Sequence, residues 1–270
     1  AQFVGLDGMT FQAKGTDDLV VYLKAHPEVT DVLFTGGDPM IMRTEILRRY
    51  IEPLLVPELD HVQNIRIGTK AVTYWPQRFV SDEDADDCLR LFEEIGAAGR
   101  HLAVMGHYSH PVELEPPIAR EAIRRIRSTG AQIRMQAPLI KHVNDDPDVW
   151  ASLWRVGVQL GLIPYYMFIE RDTGARNYFE VPLVRCHDIF KQAYSSVSGL
   201  ARSVRIVQVQ RLYPVVRLNA MLRCEPAQTC DQAAFLVVIT ALLVGRRNDS
   251  VVCVDVENVF HCHGPDLGRW

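Results

Sequence analysis

No apolar run in this chain is long enough to span a bilayer. The longest, residues 233–244, has 12 residues with one Thr among them, well short of the ~20 a spanning helix needs. The N-terminal residues lack the basic, apolar and small-residue parts of a secretory signal, so the expected location is the cytoplasm. Basic charge is not in excess either: 29 Lys and Arg against 33 Asp and Glu give a net charge of −4. That removes the electrostatic case for nucleic acid or an anionic membrane surface as partners. Lysine is scarce, with only Lys14, Lys24, Lys70, Lys141 and Lys191. Cysteine is unevenly placed, and four of the six (Cys224, Cys230, Cys253, Cys262) fall in the last 47 residues. In a cytoplasmic protein these are expected as thiols. Neither Cys224-x5-Cys230 nor His261-Cys262-His263 has a zinc-binding spacing.

What is present is a soluble globular composition, 48% hydrophobic and 23% charged over 270 residues. Apolar, β-branched runs recur at residues 31–35, 64–68, 101–107, 132–136 and 163–169. Between them lie stretches of helical periodicity at 44–55, 82–99, 115–130 and 146–161, with another at 182–197. Strand starts 31 to 37 residues apart are the spacing of βα units, and five in succession predict a parallel sheet or barrel. In such folds chemistry sits at the C-terminal strand ends. There the sequence places Thr35-Gly36-Gly37-Asp38, residues 66–70, His107-Tyr108-Ser109-His110, Gln136 and the loop 170–176. Beyond about Arg205 the pattern fails, since arginines mix with β-formers without a period.

Each candidate has a plain structural alternative. TGGD is either a ligand loop or a simple strand-to-helix turn, its glycines allowing a close backbone approach. His107 and His110 suit hydrogen bonding at a strand end better than a metal, for want of a convincing third ligand. Lys70 and Lys141 follow strands and are the candidates for a Schiff base. Asn144-Asp145-Asp146-Pro147 reads as a turn and helix cap. The loop ERDTGAR (170–176) could grip a zwitterion or simply be a salt-bridged surface loop.

The segments DVLFTGGDPMIM, IRIGTKAVTYWPQRF, GHYSHPVEL, MQAPLIKHVNDDP and IPYYMFIERDTGARNYFEVPL together resemble the lysine 2,3-aminomutase family of radical S-adenosylmethionine enzymes, in its order and spacing. The resemblance covers about residues 1–204. It implies a partial (β/α)6 TIM-like barrel with the first strand missing, followed by a divergent or frameshifted tail at 205–270. It also implies an isomerase that shifts an amino group on an amino acid. The cofactors would be S-adenosylmethionine, a [4Fe–4S] cluster with an external reductant, and pyridoxal 5′-phosphate. Gly36, Gly37 and Asp38 would receive the amino group of S-adenosylmethionine. Arg66, His107 and Gln136 would line the cofactor site, and Arg171, Asp172 and Arg176 would face the substrate.

Three departures qualify this. The family's Cys-x3-Cys-x2-Cys cluster motif is missing, so no metal ligand is assigned, and truncation ahead of Ala1 is the expected reason. No lysine follows Lys191 where the pyridoxal lysine should lie, leaving the catalytic residue unassigned. Arg171 stands where family members acting on lysine carry an Asp, which leaves the amino acid open. The chain by itself is expected to be inactive and, because of residues 233–244, poorly soluble. Oligomeric state is left open. A cluster-free lyase or epimerase barrel and a binding-only barrel remain the alternatives.

Overall fold

The computed structural model describes residues 16–169, 176–208, 250–255 and 259–262, the side chains only for 16–169 and 178–206. Helix α1 (Asp17–Ala25) leads into β1 (Val29–Thr35), then α2 (Thr44–Ile51) and β2 (Asn64–Thr69). A short α3 (Ala71–Tyr74) and the longer α4 (Ala85–Ala97) precede β3 (His101–His107), and α5 (Pro117–Ser128) precedes β4 (Gln132–Leu139). After α6 (Pro147–Gln159) come β5 (Ile163–Ile169), α7 (Arg176–Phe179), α8 (Leu183–Ser195) and β6 (Arg205–Gln208). The strands β7 (Ser250–Asp255) and β8 (Val259–Cys262) end the described chain.

Strands β1 to β6 pair with their sequence neighbours, all parallel, in the order β6-β5-β4-β3-β2-β1-β7-β8. Six consecutive parallel strands with helical crossovers form a partial TIM-like barrel, as the spacing of the apolar runs predicts. The other side of β1 is filled by β7, also parallel, with Val29 opposite Ser250 and Leu33 opposite Cys253. Antiparallel β8 makes the outermost strand on that side.

The alternation of side chains splits each strand between two faces. Val32, Phe34, Ile65, Ile67, Leu102, Val104, Ile133 and Met135 join the main core. The helices meet them with Leu47, Ile51, Leu91, Phe92, Ile123, Ile126, Trp150 and Trp154. The opposite face carries a small second cluster, Leu33, Ala103 and Met105 with Tyr165. Burial on both faces explains why the strands read as near-continuous apolar runs. The second face is also where the polar residues of the alternation fall: Asp31, Arg66, His107 and Gln136. Between Met135 and Gln136 the register with β5 slips by one residue, so Tyr165 is bulged, and its ring lies tilted against Tyr166 with centroids 3.8 Å apart.

The helices expected at 82–99, 115–130, 146–161 and 182–197 are present with trimmed ends, while 44–55 finishes as a 3₁₀ turn at Glu52–Leu54. Pro117 begins α5 and Gly130, with φ 89°, follows it, a proline start and glycine stop. Asp146 caps α6 by accepting from the Asp148 N–H at 2.9 Å. Among the described residues no helix is long and apolar enough to cross a membrane. The sequence-based boundary at 204–205 falls just before β6. The 233–244 run, Cys224, Cys230 and Lys14 lie outside the described residues.

Candidate functional site

The C-terminal ends of β1 to β5 form one mouth, and its first corner is Gly36-Gly37-Asp38. Gly36 has φ 111°, a conformation that side-chain-bearing residues rarely adopt. The corner then enters a 3₁₀ turn, Pro39–Ile41. Asp38 is heavily engaged. Its Oδ1 accepts from Thr69 Oγ1 at 2.7 Å and from the Met40 N–H at 3.0 Å. Its Oδ2 accepts from the Lys70 and Ala71 N–H groups at 2.7 and 3.0 Å, with Tyr74 Oη at 3.5 Å. One carboxylate thus ties the β1 corner to the first turn of α3.

The far side of the same loop is held by Arg78, which is 1% exposed. Its guanidinium donates to the Met40 and Met42 carbonyls, to Thr44 Oγ1 and to Asp84, the last at 2.9 Å. Asp84 also accepts from the Thr44 N–H, and its carboxyl is held below the usual range by these bonds and Arg78 against the upward push of burial. The sequence offers no sign of this second fastening, because Arg78 in YWPQRF looks like any surface arginine.

On β2, Arg66 lies on the inner face but its Nε is committed to Asp31 at 2.6 Å. Burial pushes the Asp31 carboxyl up, against the pull of Arg66. On β3 and β4, His107 and Gln136 are register partners, so the structure brings these two expected residues side by side. Gln136 is in turn opposite Tyr166. His107 Nε2 lies 2.9 Å from Ser109 Oγ. Burial, with Lys70 nearby, brings the His107 pKa down to about 4, so the ring is neutral at pH 7.

The loop after β3 is organised by Glu113. Its Oε2 accepts from the Ser109 and His110 N–H groups at 2.6 and 3.2 Å, and its Oε1 pairs with Lys70 Nζ at 3.1 Å. His110 in turn caps the following turn through the Val112 N–H. An ammonium held by a carboxylate is a poor nucleophile, which counts against Lys70 as a Schiff-base lysine. Lys141 stands on the β4–α6 loop, its N–H donating to the Phe179 carbonyl. There Asn144, 1% exposed, donates to the Ser109 and Pro138 carbonyls and accepts from the Ile140 N–H. It joins the third and fourth loops. The turn reading of this segment therefore holds, with Trp150 Nε1 capping the Asn144 carbonyl at 2.7 Å.

Arg171 and Asp172 lie outside the described residues, and Arg176 opens α7 by its backbone alone. Among the described residues no three His, Cys, Asp or Glu converge on a metal position. The two cysteines with described side chains, Cys88 and Cys186, are buried in separate helices, and burial pushes each thiol up to about 11. These residues do not fit a [4Fe–4S] cluster, which takes thiolates from neighbouring cysteines.

The chain is 34% identical over 196 residues to the Aquifex aeolicus protein named "Putative L-lysine 2,3-aminomutase", covering 72% of this chain and 51% of that protein. It is 30% identical to the L-lysine 2,3-aminomutase of Haemophilus influenzae, over 66% of this chain and 49% of that one. The glutamate 2,3-aminomutase of Clostridioides difficile is 25% identical over 70% of this chain and 42% of its own length. This chain therefore spans about half the length of the curated relatives it matches. Among solved structures, a radical SAM methyltransferase from Sphaerobacter thermophilus aligns with a TM-score of 0.44 at 16% identity, covering 66% of this chain and 51% of that chain. No family model matches the chain.

Proposed function

Since this chain belongs to the lysine 2,3-aminomutase family of radical S-adenosylmethionine enzymes, we propose that its mouth binds S-adenosylmethionine and serves an isomerase that moves an amino group along an amino acid. The observation that carries this reading is the convergence of the family-matching residues on one end of one sheet. The Gly36–Asp38 corner ends β1, and the His107–Gln136 pair ends β3 and β4 on the inner face.

The chain's own residues then have simple tasks. The Gly36–Gly37 backbone lets the amino-acid end of the ligand approach the corner closely. Neutral His107, beside Gln136, offers hydrogen bonds without adding charge. Arg66 is neutralised by Asp31, so it shapes the floor more than it attracts an anion. S-adenosylmethionine, once reductively cleaved by a cluster, supplies a hydrogen-abstracting radical. The sequence contains no Cys-x3-Cys-x2-Cys run to hold that cluster. Lys70 is paired with Glu113, and pyridoxal phosphate has no assigned lysine in this chain. The amino acid acted on is left open, since this chain spans about half the length of the relatives it matches.

The test is calorimetric titration with S-adenosylmethionine. Saturable binding is expected, and Gly37→Val should abolish it by filling the approach while leaving the thermal transition in place. A wild-type chain that takes up no S-adenosylmethionine overturns the proposal. After anaerobic reconstitution with iron, sulfide and pyridoxal phosphate the chain alone should show no turnover. A stable cluster spectrum with S-adenosylmethionine cleavage would overturn that part.

A further inference from the structure

The Asp38 carboxylate invites a direct reading, in which it receives the ammonium of the bound ligand. The hydrogen bonds around it point elsewhere. A carboxylate offers about four lone-pair positions, and Asp38 has four donors within 3.0 Å: Thr69 Oγ1 and the N–H groups of Met40, Lys70 and Ala71. Two of these donors open α3 and two come from elements on either side of the corner. Thr69 Oγ1 does double work, since it also accepts from the Ala71 N–H at 2.9 Å. The loop beyond is pinned independently by Arg78, so the corner is fastened from below and from the side.

We infer that Asp38 is a positioning residue: its carboxylate locks the β1 corner to the start of α3 and is not the acceptor of the ligand's ammonium. This rests on the proposed S-adenosylmethionine site and refines it. The charge of Asp38 still favours a nearby cation, but its oxygens are already taken. Thr69 becomes a functional residue by the same logic, although it never meets the ligand. It holds the oxygen that holds the corner.

Two measurements separate the possibilities. The first needs no ligand. Amide hydrogen exchange at Lys70 and Ala71 should accelerate about tenfold or more in Asp38→Ala, because the lost carboxylate hydrogen bonds open the first turn of α3. Unchanged protection in Asp38→Ala overturns the lock. The second is the affinity for S-adenosylmethionine, taken well below each variant's melting temperature. If Asp38 positions, Thr69→Val binds roughly 3- to 10-fold more weakly, Thr69→Ser restores binding, and Asp38→Asn combined with Thr69→Val is no worse than Asp38→Asn alone. If Asp38 is the direct acceptor, removing Thr69 frees a lone pair, and Thr69→Val binds as well as or better than the wild type; that result overturns the inference. Should Thr69→Val not fold, Thr69→Ala carries the same comparison. Absence of any wild-type binding would instead overturn the proposed function, leaving the lock to stand or fall on the exchange data alone.

Discussion

Arg78 shows how much of this site depends on one buried side chain. It satisfies two carbonyls and a hydroxyl where it is 1% exposed, and among the described residues its charge is balanced by Asp84. Replacing it with Leu removes the donor from those acceptors and leaves the half-buried Asp84 carboxylate with the Thr44 N–H but without its cation. The expected cost is about 3 kcal/mol, measured as a lower urea midpoint with an unchanged slope. His107 makes a prediction in pH. Its folded pKa of about 4 is below the unfolded value of about 6.5, so the unfolded chain binds the extra proton between those values. The stability it contributes is full above about pH 6.5 and is lost as pH falls toward 4. The size is on the order of 3 kcal/mol. His107→Asn should flatten that limb of the stability curve, and a carbon-bound proton resonance of His107 titrating near 6.5 would contradict it. Cys88, with its thiol raised to about 11, should resist a thiol reagent at pH 8 until the protein is unfolded.

At the scale of elements, the loops are held by polar residues and the strands by apolar ones. That difference decides what the sequence reveals. The five parallel strands and five major helices are legible because burial imposes periods of two and 3.6 on long segments. The four residues of α3 carry no period, and β6 escapes notice because Arg205 and Gln208 leave only Ile206 and Val207 between them. The mouth is legible as a place, since glycine, histidine and acids gather at strand ends. Its wiring is not. The Asp38 donors Thr69, Lys70 and Ala71 lie more than 30 residues away, and two of the four Arg78 partners are carbonyls, which every residue has. Asn144 is the clearest case of a loop fastener. Asn144→Ala leaves the Ser109 and Pro138 carbonyls and the Ile140 N–H unpaired in a buried place. It should cost about 2–3 kcal/mol, with faster amide exchange at Ile140 as its local signature.

Across the whole molecule the sheet is an ordered ladder in which each of β1 to β6 lies beside its predecessor. The exception is the far side of β1, where β7 and β8 complete the sheet from the other end of the chain. Ending the chain before residue 250 would leave the β1 edge as a row of unpaired backbone groups, a template for another chain. Such a variant should form larger species by light scattering under conditions where the intact chain does not, and equal scattering would show that β7 shields nothing. The same pairing has a consequence in time. Strands β1 to β6 are closed by neighbours made within about 40 residues of one another, whereas Val29 waits for Ser250. At a synthesis rate of about 5–20 residues per second, Ser250 follows Val29 out of the ribosome by on the order of 10–40 s. Through that interval β7 is not yet made, and a chaperone or a second nascent chain that reaches this side of β1 competes with a strand still to come.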